Sequence, residues 1–383
     1  MAAGDVFVTP APLPKSKLGF YRLLSPNASI RVSPIQLGAM SIGDKWEKYG
    51  FGSMDKESSF RLLDAYFDLG GNFIDTANNY QDDSSETFIG EWMESRNNRD
   101  QIVLATKYSM NNHRGDATIH QKVNYVGNGS KSLLLSVRES LKRLRTDYID
   151  ILYVHWWDYE TSVEELMNSL HNLVVSGKVL HLGISDAPAW AVSQANQYAK
   201  MANKTPFAIY QGHWNVLDRS FERDIIPMAR SLGVALAPWD VLCSGKIRTD
   251  EEEEARAASG ENGRALFGDW RRTPAEKAIC DVLTNVAAEH NTSNIRAVAI
   301  AYVMQKTAYV FPVIGGRKAE HLASNLEALD IALTASQISA IEVASPIDLG
   351  FPTGFIGDGT NPNIYFVTTA NLTKMPPLPA IKP

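Results

Sequence analysis

The chain has 383 residues and a formal net charge of −6, with 44% hydrophobic and 21% charged residues, a composition that supports a full globular core. Its basic residues form no long run, which argues against a nucleic-acid or membrane surface, and no apolar run approaches the ~18 residues of a membrane span. Two cysteines, Cys243 and Cys280, allow at most one bridge and fit a reducing compartment.

Residues 1–20 are Pro-rich and lack an apolar signal core, so 1–19 are expected to be a flexible segment of a cytoplasmic protein. The next stretch, "FYRLLSPNASIRVS", has the pattern of a hairpin. Eight short apolar segments follow: "PIQLGAM" (34–40), "NFID" (72–75), "IVLATK" (102–107), "YIDILYVH" (148–155), "VLHLGIS" (179–185), "FAIYQ" (207–211), "VALAP" (234–238) and "YVFPVIG" (309–315). They are rich in Val, Ile and Leu without clean alternation, as strands covered on both faces are. Helical periods lie between them. "SSFRLLDAYFDLG" repeats apolar residues at Phe60, Leu62, Leu63, Tyr66 and Phe67 and stops at Gly70. "TSVEELMNSLHNLVVSGK" opens with Thr161 and Glu164 spaced as a capping box.

Strand alternating with helix predicts parallel units, and eight of them predict an α/β fold of the (β/α)8 TIM-barrel type rather than an open doubly wound sheet. The barrel is assigned to 20–345 as a single domain with an N-terminal hairpin, followed by a Pro- and Gly-rich C-terminal extension over 346–383. Long loops are expected after the third strand (109–129) and the seventh (246–273). The latter contains "TDEEEEARAASGENG", acidic and short of apolar residues, which predicts a mobile segment.

In such a barrel the C-terminal strand ends converge on one mouth. The second strand ends at Asp75, with Tyr80 in the loop beyond; the third ends at Lys107 and the fourth at His155. Each alone is a common loop cap, packing residue or solvated side chain. Together their chemistry is complementary. A free phenol titrates near pH ~10, and a neighbouring ammonium is expected to lower it. A carboxylate would hold that ammonium in place, and an imidazole would orient a carbonyl oxygen. The set is a general acid for an oxyanion forming as a hydride reaches carbon.

No G-x-G-x-x-G joins a strand to a helix, so a Rossmann site is not expected. After the eighth strand, "IGGRKAEHLASN" offers Gly315 and Gly316 for close backbone approach, Arg317 and Lys318 for charge, and a helix start for a phosphate. Such a loop equally suits a flavin, a pyridoxal phosphate or a sugar phosphate. Trp46, Trp156 and Trp239, each just past a strand end, suggest a flat apolar slot. His113 and His120 are read as loop residues; without H-x-H or H-E-x-x-H, no metal is expected.

"FIDTANNY", "LATK" and "LYVHWWD", with "GISD", "YQGHWN", "APWDVLCSGK" and "VIGGRKAEHLASN", resemble the aldo-keto reductase family over 35–344, most of all its fungal aryl-alcohol dehydrogenase branch. The resemblance implies NADPH as cofactor, with Tyr80 as acid, Lys107 and Asp75 tuning it, and His155 orienting the carbonyl. It implies Ser185, Asp186 and Gln211 at the nicotinamide carboxamide, Arg317 at the 2′-phosphate and Asn325 at the adenine. Pro238, Trp239, Gly245, Lys246, Gly315, Gly316, Lys318 and His321 complete the implied cofactor set. Two positions depart: many members have Asn where Asp186 stands, and Ser-Pro-Leu in place of Ala237-Pro238-Trp239. A carboxylate at 186 would favour the oxidised, cationic ring. The substrates implied are aromatic aldehydes such as veratraldehyde and the matching benzylic alcohols. Three other readings stay open: a reductase of another carbonyl, such as a polyketide or aliphatic one; a Schiff-base enzyme using Lys107; and a cofactor-sensing module resembling potassium-channel β subunits. The segment 246–273, with Arg264, Arg271 and Arg272, is expected to order over bound NADPH.

Overall fold

The computed structural model describes residues 10–49, 52–259 and 269–383. Strands β1 (Arg22–Ser25) and β2 (Ala28–Val32) pair antiparallel as the expected hairpin. Eight strands follow: β3 (Gln36–Gly38), β4 (Phe73–Asp75), β5 (Val103–Tyr108), β6 (Ile149–Val154), β7 (Val179–Ser185), β8 (Phe207–His213), β9 (Ala235–Trp239) and β10 (Val313–Gly315). They pair in parallel in the order β10-β3-β4-β5-β6-β7-β8-β9. The ends of that order meet: Leu236 N–H donates to the Tyr309 carbonyl at 2.9 Å, and Phe311 N–H to the Leu236 carbonyl at 2.8 Å. The ring is a (β/α)8 barrel. Its last strand is shorter than the apolar run at 309–315 because Pro312 has no N–H to give a ladder.

Helices cover the outside, and their starts follow capping chemistry. Asp55 accepts from Ser58 N–H at 2.7 Å ahead of Lys56–Asp68, and Thr273 with Glu276 closes a capping box on Pro274–Glu289. The box expected at Thr161 is displaced by one residue. Ser162 caps Val163–Val175 by accepting from Glu165 N–H at 3.1 Å, while the Thr161 hydroxyl donates to Asp158.

The pleat divides the core in two. Even-numbered residues such as Ile74, Leu104, Leu152, Leu182 and Ile184 pack outward against the helices. Inside the ring a second cluster joins Phe73, Val103, Ala105, Ile151, Tyr153, Ile209, Ala235, Ala237 and Phe311 with Leu24, Ala28 and Val32 of the hairpin, which plugs the floor. Gly183 sits opposite Tyr153 in register, and a Cβ there would lie 2.5 Å from the ring. A small residue beside a large one is what lets the interior layer fill.

Two expectations need correction. Part of the segment expected to be mobile is the helix Asp250–Ser259, clamped by Arg272 to Asp250 and Glu253, both at 2.7 Å, and by Arg296 to Glu252 at 2.8 Å. Its acidic run has found basic partners far along the chain. Of the N-terminal segment expected to be flexible, residues 16–19 are docked: Leu18 is buried and Ser16 Oγ donates to the Leu69 carbonyl at 2.7 Å. Residues 1–9 and Arg264 lie outside the described residues. The extension after 345 returns across the helices, where Arg223 donates to the Asp348 carbonyl at 2.7 Å and Arg230 pairs with Asp358 at 3.3 Å. Among the described residues no helix is long and apolar enough to cross a membrane.

Candidate active site

The inward parity that builds the apolar floor also loads the mouth. Two residues on from Phe73 stands Asp75; beyond Val103 and Ala105 stands Lys107; beyond Ile151 and Tyr153 stands His155. Ser185 and Trp239 end β7 and β9, and Gln211 lies one inward step before the end of β8. The strand register sets Ser185 against Gln211 and Lys107 against Tyr153.

Lys107 is fully buried and spends its ammonium on three acceptors: Asp75 Oδ2 at 2.6 Å, the Thr76 carbonyl at 2.8 Å and Tyr80 Oη at 3.3 Å. Gln211 Nε2 donates to the other Asp75 oxygen at 2.8 Å, so the carboxylate is held from both sides. That leaves the Gln211 carbonyl oxygen and its second amide N–H for the carboxamide implied by the resemblance. The rings of Tyr80 and His155 meet edge-on, 5.9 Å between centroids.

Burial opposes the Lys107 ammonium, but Asp75 and Tyr80 outweigh it and hold its pKa above the ordinary value. Lys107 does lower the Tyr80 pKa, as expected, yet the net shift is upward. Burial pushes the phenol up, and Lys107 only offsets part of that, while the negative charges of Asp75 and Asp186 add to it. His155 is driven well below its usual range, first by burial and then by Lys107, and among the described residues no atom partners its Nδ1. At neutral pH the mouth therefore holds a neutral phenol, an ammonium, a paired carboxylate and a neutral imidazole. That set can give a proton to an oxygen and stabilise the phenolate left behind.

Two residues that sequence reasoning missed hold the loops around it. Gln81 Nε2 donates to the carbonyls of Met40 and Gly52, both at 2.9 Å, and its Oε1 accepts from Lys45 and Trp46 N–H at 3.1 and 2.8 Å. It thereby sets Trp46 edge-on to Tyr80, 6.2 Å between centroids. Asn128 Nδ2 donates to Ser109 Oγ and to the Trp156 carbonyl, both at 2.9 Å, and Ser109 Oγ accepts from His155 N–H at 3.3 Å. Neither residue lies in a pattern that advertises a clasp, although the Gln beside Tyr80 was a place to look.

Of the three tryptophans, Trp46 borders Tyr80 and Trp156 follows His155, its Nε1 on Met110 Sδ at 3.1 Å. Trp239 is the last residue of β9, not past it, and donates from Nε1 to Asp186 Oδ1 at 3.1 Å. His113 pairs with Glu139 at 2.9 Å and packs on Tyr125, and His120 is an exposed loop residue.

The segments implied as a cofactor cradle flank this mouth. A Cβ on Gly316 would meet nothing within 4 Å, and one on Gly315 only the Gly38 carbonyl oxygen at 3.5 Å. The Arg317 side chain lies beside Gly52, and Asn325 is buried at the end of the helix Ala319–Asn325. The His321 imidazole is pushed down by burial and then by the cations Lys318, Arg296 and Arg256. Arg248 is buried, and among the described residues its Nη1 has no hydrogen-bond partner. Converging cations with an orphaned guanidinium N–H fit a phosphate-bearing group. Arg248, Arg256 and Arg296 were missed because the sequence shows them only beside or far beyond an acidic run. Lys246 of the implied cofactor set pairs with Glu276 at 2.7 Å, Arg272 of the segment expected to close over NADPH clamps Asp250 and Glu253, and Arg296 pairs with Glu252 at 2.8 Å. Arg271 lies over the Trp270 ring at 5.6 Å.

A model of the aldo/keto reductase family matches residues 34–345. The chain is 58% identical to an aryl-alcohol dehydrogenase [NADP(+)] of Phanerodontia chrysosporium, covering 98% of each chain. It is 53% identical to the aldo-keto reductase ausK of Aspergillus calidoustus, over 91% of this chain and 87% of that one. It is 50% identical to norsolorinic acid reductase B of Dothistroma septosporum, over 89% of this chain and 86% of that one.

Proposed function

Because the chain belongs to the aldo/keto reductase family, we propose that it is an NADPH-dependent carbonyl reductase that interconverts aryl aldehydes and benzylic alcohols, with Tyr80 as proton donor. The observation that carries this reading is the Lys107 ammonium, bound at once to Asp75 and to the Tyr80 hydroxyl at 2.6 and 3.3 Å. NADPH, when bound, supplies the hydride.

The chain's own residues do the rest. The neutral imidazole of His155 donates to the carbonyl oxygen and fixes its direction. Tyr80 gives its proton to that oxygen as negative charge grows on it, and Lys107 stabilises the phenolate that results. Asp75 keeps Lys107 charged and aimed, and Gln211 keeps Asp75 from turning. In the alcohol-oxidising direction the same phenolate takes the proton back. Ser185, Asp186 and Gln211 would hold the nicotinamide, and Gly315, Gly316, Arg317, Lys318, His321 and Asn325 the adenosine phosphate end.

The aryl preference is supported by Trp46 against Tyr80 and by the name of the 58% identical relative. A second reading, reduction of a larger aryl ketone, is favoured by the relative named norsolorinic acid reductase B.

The test is NADPH oxidation with 3,4-dimethoxybenzaldehyde, an aliphatic aldehyde and a polycyclic aryl ketone, with the product identified by chromatography. Fast turnover of the aryl aldehyde supports the proposal, and preference for the ketone moves the assignment to the second reading. Tight NADPH binding without turnover on any carbonyl would indicate a cofactor-sensing module. Borohydride trapping of substrate on Lys107 would replace the hydride mechanism with a Schiff base.

A further inference from the structure

Just past the end of β7 stands a carboxylate that only the more distant charges of Lys107 and His213 act on. Asp186 takes a φ of 44°, uncommon for a residue with a side chain, and its N–H donates to the Gln211 carbonyl at 3.0 Å. Trp239 Nε1 donates to Oδ1 at 3.1 Å. Trp239 packs in turn on His213, 4.7 Å between ring centroids, and His213 faces two carboxylates of its own, Asp240 at 3.1 Å and Asp218 at 3.3 Å. Asp75 is matched by Lys107 at 2.6 Å, and His155 is neutral. Among the described residues Asp186 makes no ion pair. It is open to solvent, yet enough protein surrounds it to lift its carboxyl above the ordinary value. Asp186 adjoins Ser185 and lies across from Gln211.

We propose that Asp186 determines which oxidation state of the cofactor the site prefers, its carboxylate serving as the counter-charge of the cationic ring of NADP+. The inference rests on the nicotinamide site described above. The oxidised and reduced cofactors carry the same phosphates, so Lys318, Arg256, Arg296 and Arg317 act on both alike. They differ at the ring, which is positive when oxidised and neutral when reduced. Discrimination must come from charge beside the ring, and Asp186 is the carboxylate there that makes no ion pair among the described residues. A site biased toward NADP+ favours carbonyl reduction in the bound state.

The experiment measures Kd for NADP+ and NADPH at pH 8 in wild type, Asp186→Asn and Trp239→Phe, by tryptophan quenching and by ligand-induced shift in Tm. Asp186→Asn keeps the shape and an oxygen acceptor for Trp239 but removes the charge. It should weaken NADP+ by about tenfold or more relative to NADPH. Trp239→Phe, which keeps the charge, should leave the ratio within about twofold of wild type. An unchanged ratio in Asp186→Asn, or equal weakening of both forms, overturns the proposal and leaves the cofactor site standing. Binding of neither form by folded wild type overturns the site assignment and the proposal together.

Discussion

The floor and the mouth of the barrel are made from the same strands at the same inward positions, and they could hardly differ more. At the floor, Phe73, Val103, Ile151 and Phe311 close on Leu24, Ala28 and Val32 of the hairpin. At the mouth, one or two inward steps along, stand Asp75, Lys107, His155, Ser185 and Gln211. The pleat decides which way a side chain points but not its polarity. Each strand therefore builds the core with its early inward residues and carries chemistry on its last. The apolar plug also has an energetic role, since a fully buried ammonium and carboxylate contribute little net stability and have to be held by packing elsewhere.

That contrast can be broken from either end. Lys107→Met leaves Asp75 buried and unpaired, so it should lower stability by about 3–5 kcal/mol and abolish turnover together, as read by denaturant midpoint and rate. Phe73→Ala at the floor should cost about 3–5 kcal/mol of stability as well, through the cavity left against Phe311. The folded fraction of that variant should keep the wild-type kcat, and a large loss of kcat would show that the two ends are not separable. Gly183→Ala lies between them. Its Cβ would press on Tyr153 at 2.5 Å, which predicts about 1–3 kcal/mol of destabilisation with Asp75, Tyr80, Lys107 and His155 in place.

The smallest effect is the pH dependence of the mouth. His155 titrates below its ordinary 6.5 in the folded state, so on acidification the unfolded chain takes up its proton first. The stability associated with neutral His155 is complete above that ordinary value and is lost as pH falls toward the folded one. Wild type should therefore lose stability more steeply than His155→Gln between about pH 7 and pH 5. Parallel curves would mean that the imidazole is not buried neutral.

Much of this was legible in the sequence. Eight apolar segments at barrel spacing located every strand of the ring, and Asp75, Lys107 and His155 could be placed at the mouth because each ends such a segment. What stayed hidden depends on contacts distant along the chain. The Tyr80 pKa went the other way because burial, which one sequence does not reveal, outweighs a neighbouring ammonium. The run of acids at 250–254 read as mobile because its partners Arg272 and Arg296 are recruited by folding. Gln81 gave no pattern at all, since its four hydrogen bonds are to main-chain atoms of a loop some 30–40 residues away. The capping shift from Thr161 to Ser162 shows the usual limit on element boundaries.

The central claim is that the mouth is a proton donor built on Tyr80. It is tested most directly by the rate of NADPH oxidation with 3,4-dimethoxybenzaldehyde in wild type beside Tyr80→Phe, with NADPH affinity and Tm measured on both. The account predicts that the variant binds NADPH as wild type does and loses about 10²–10⁴ in kcat. Turnover that survives removal of the phenol hydroxyl would contradict it.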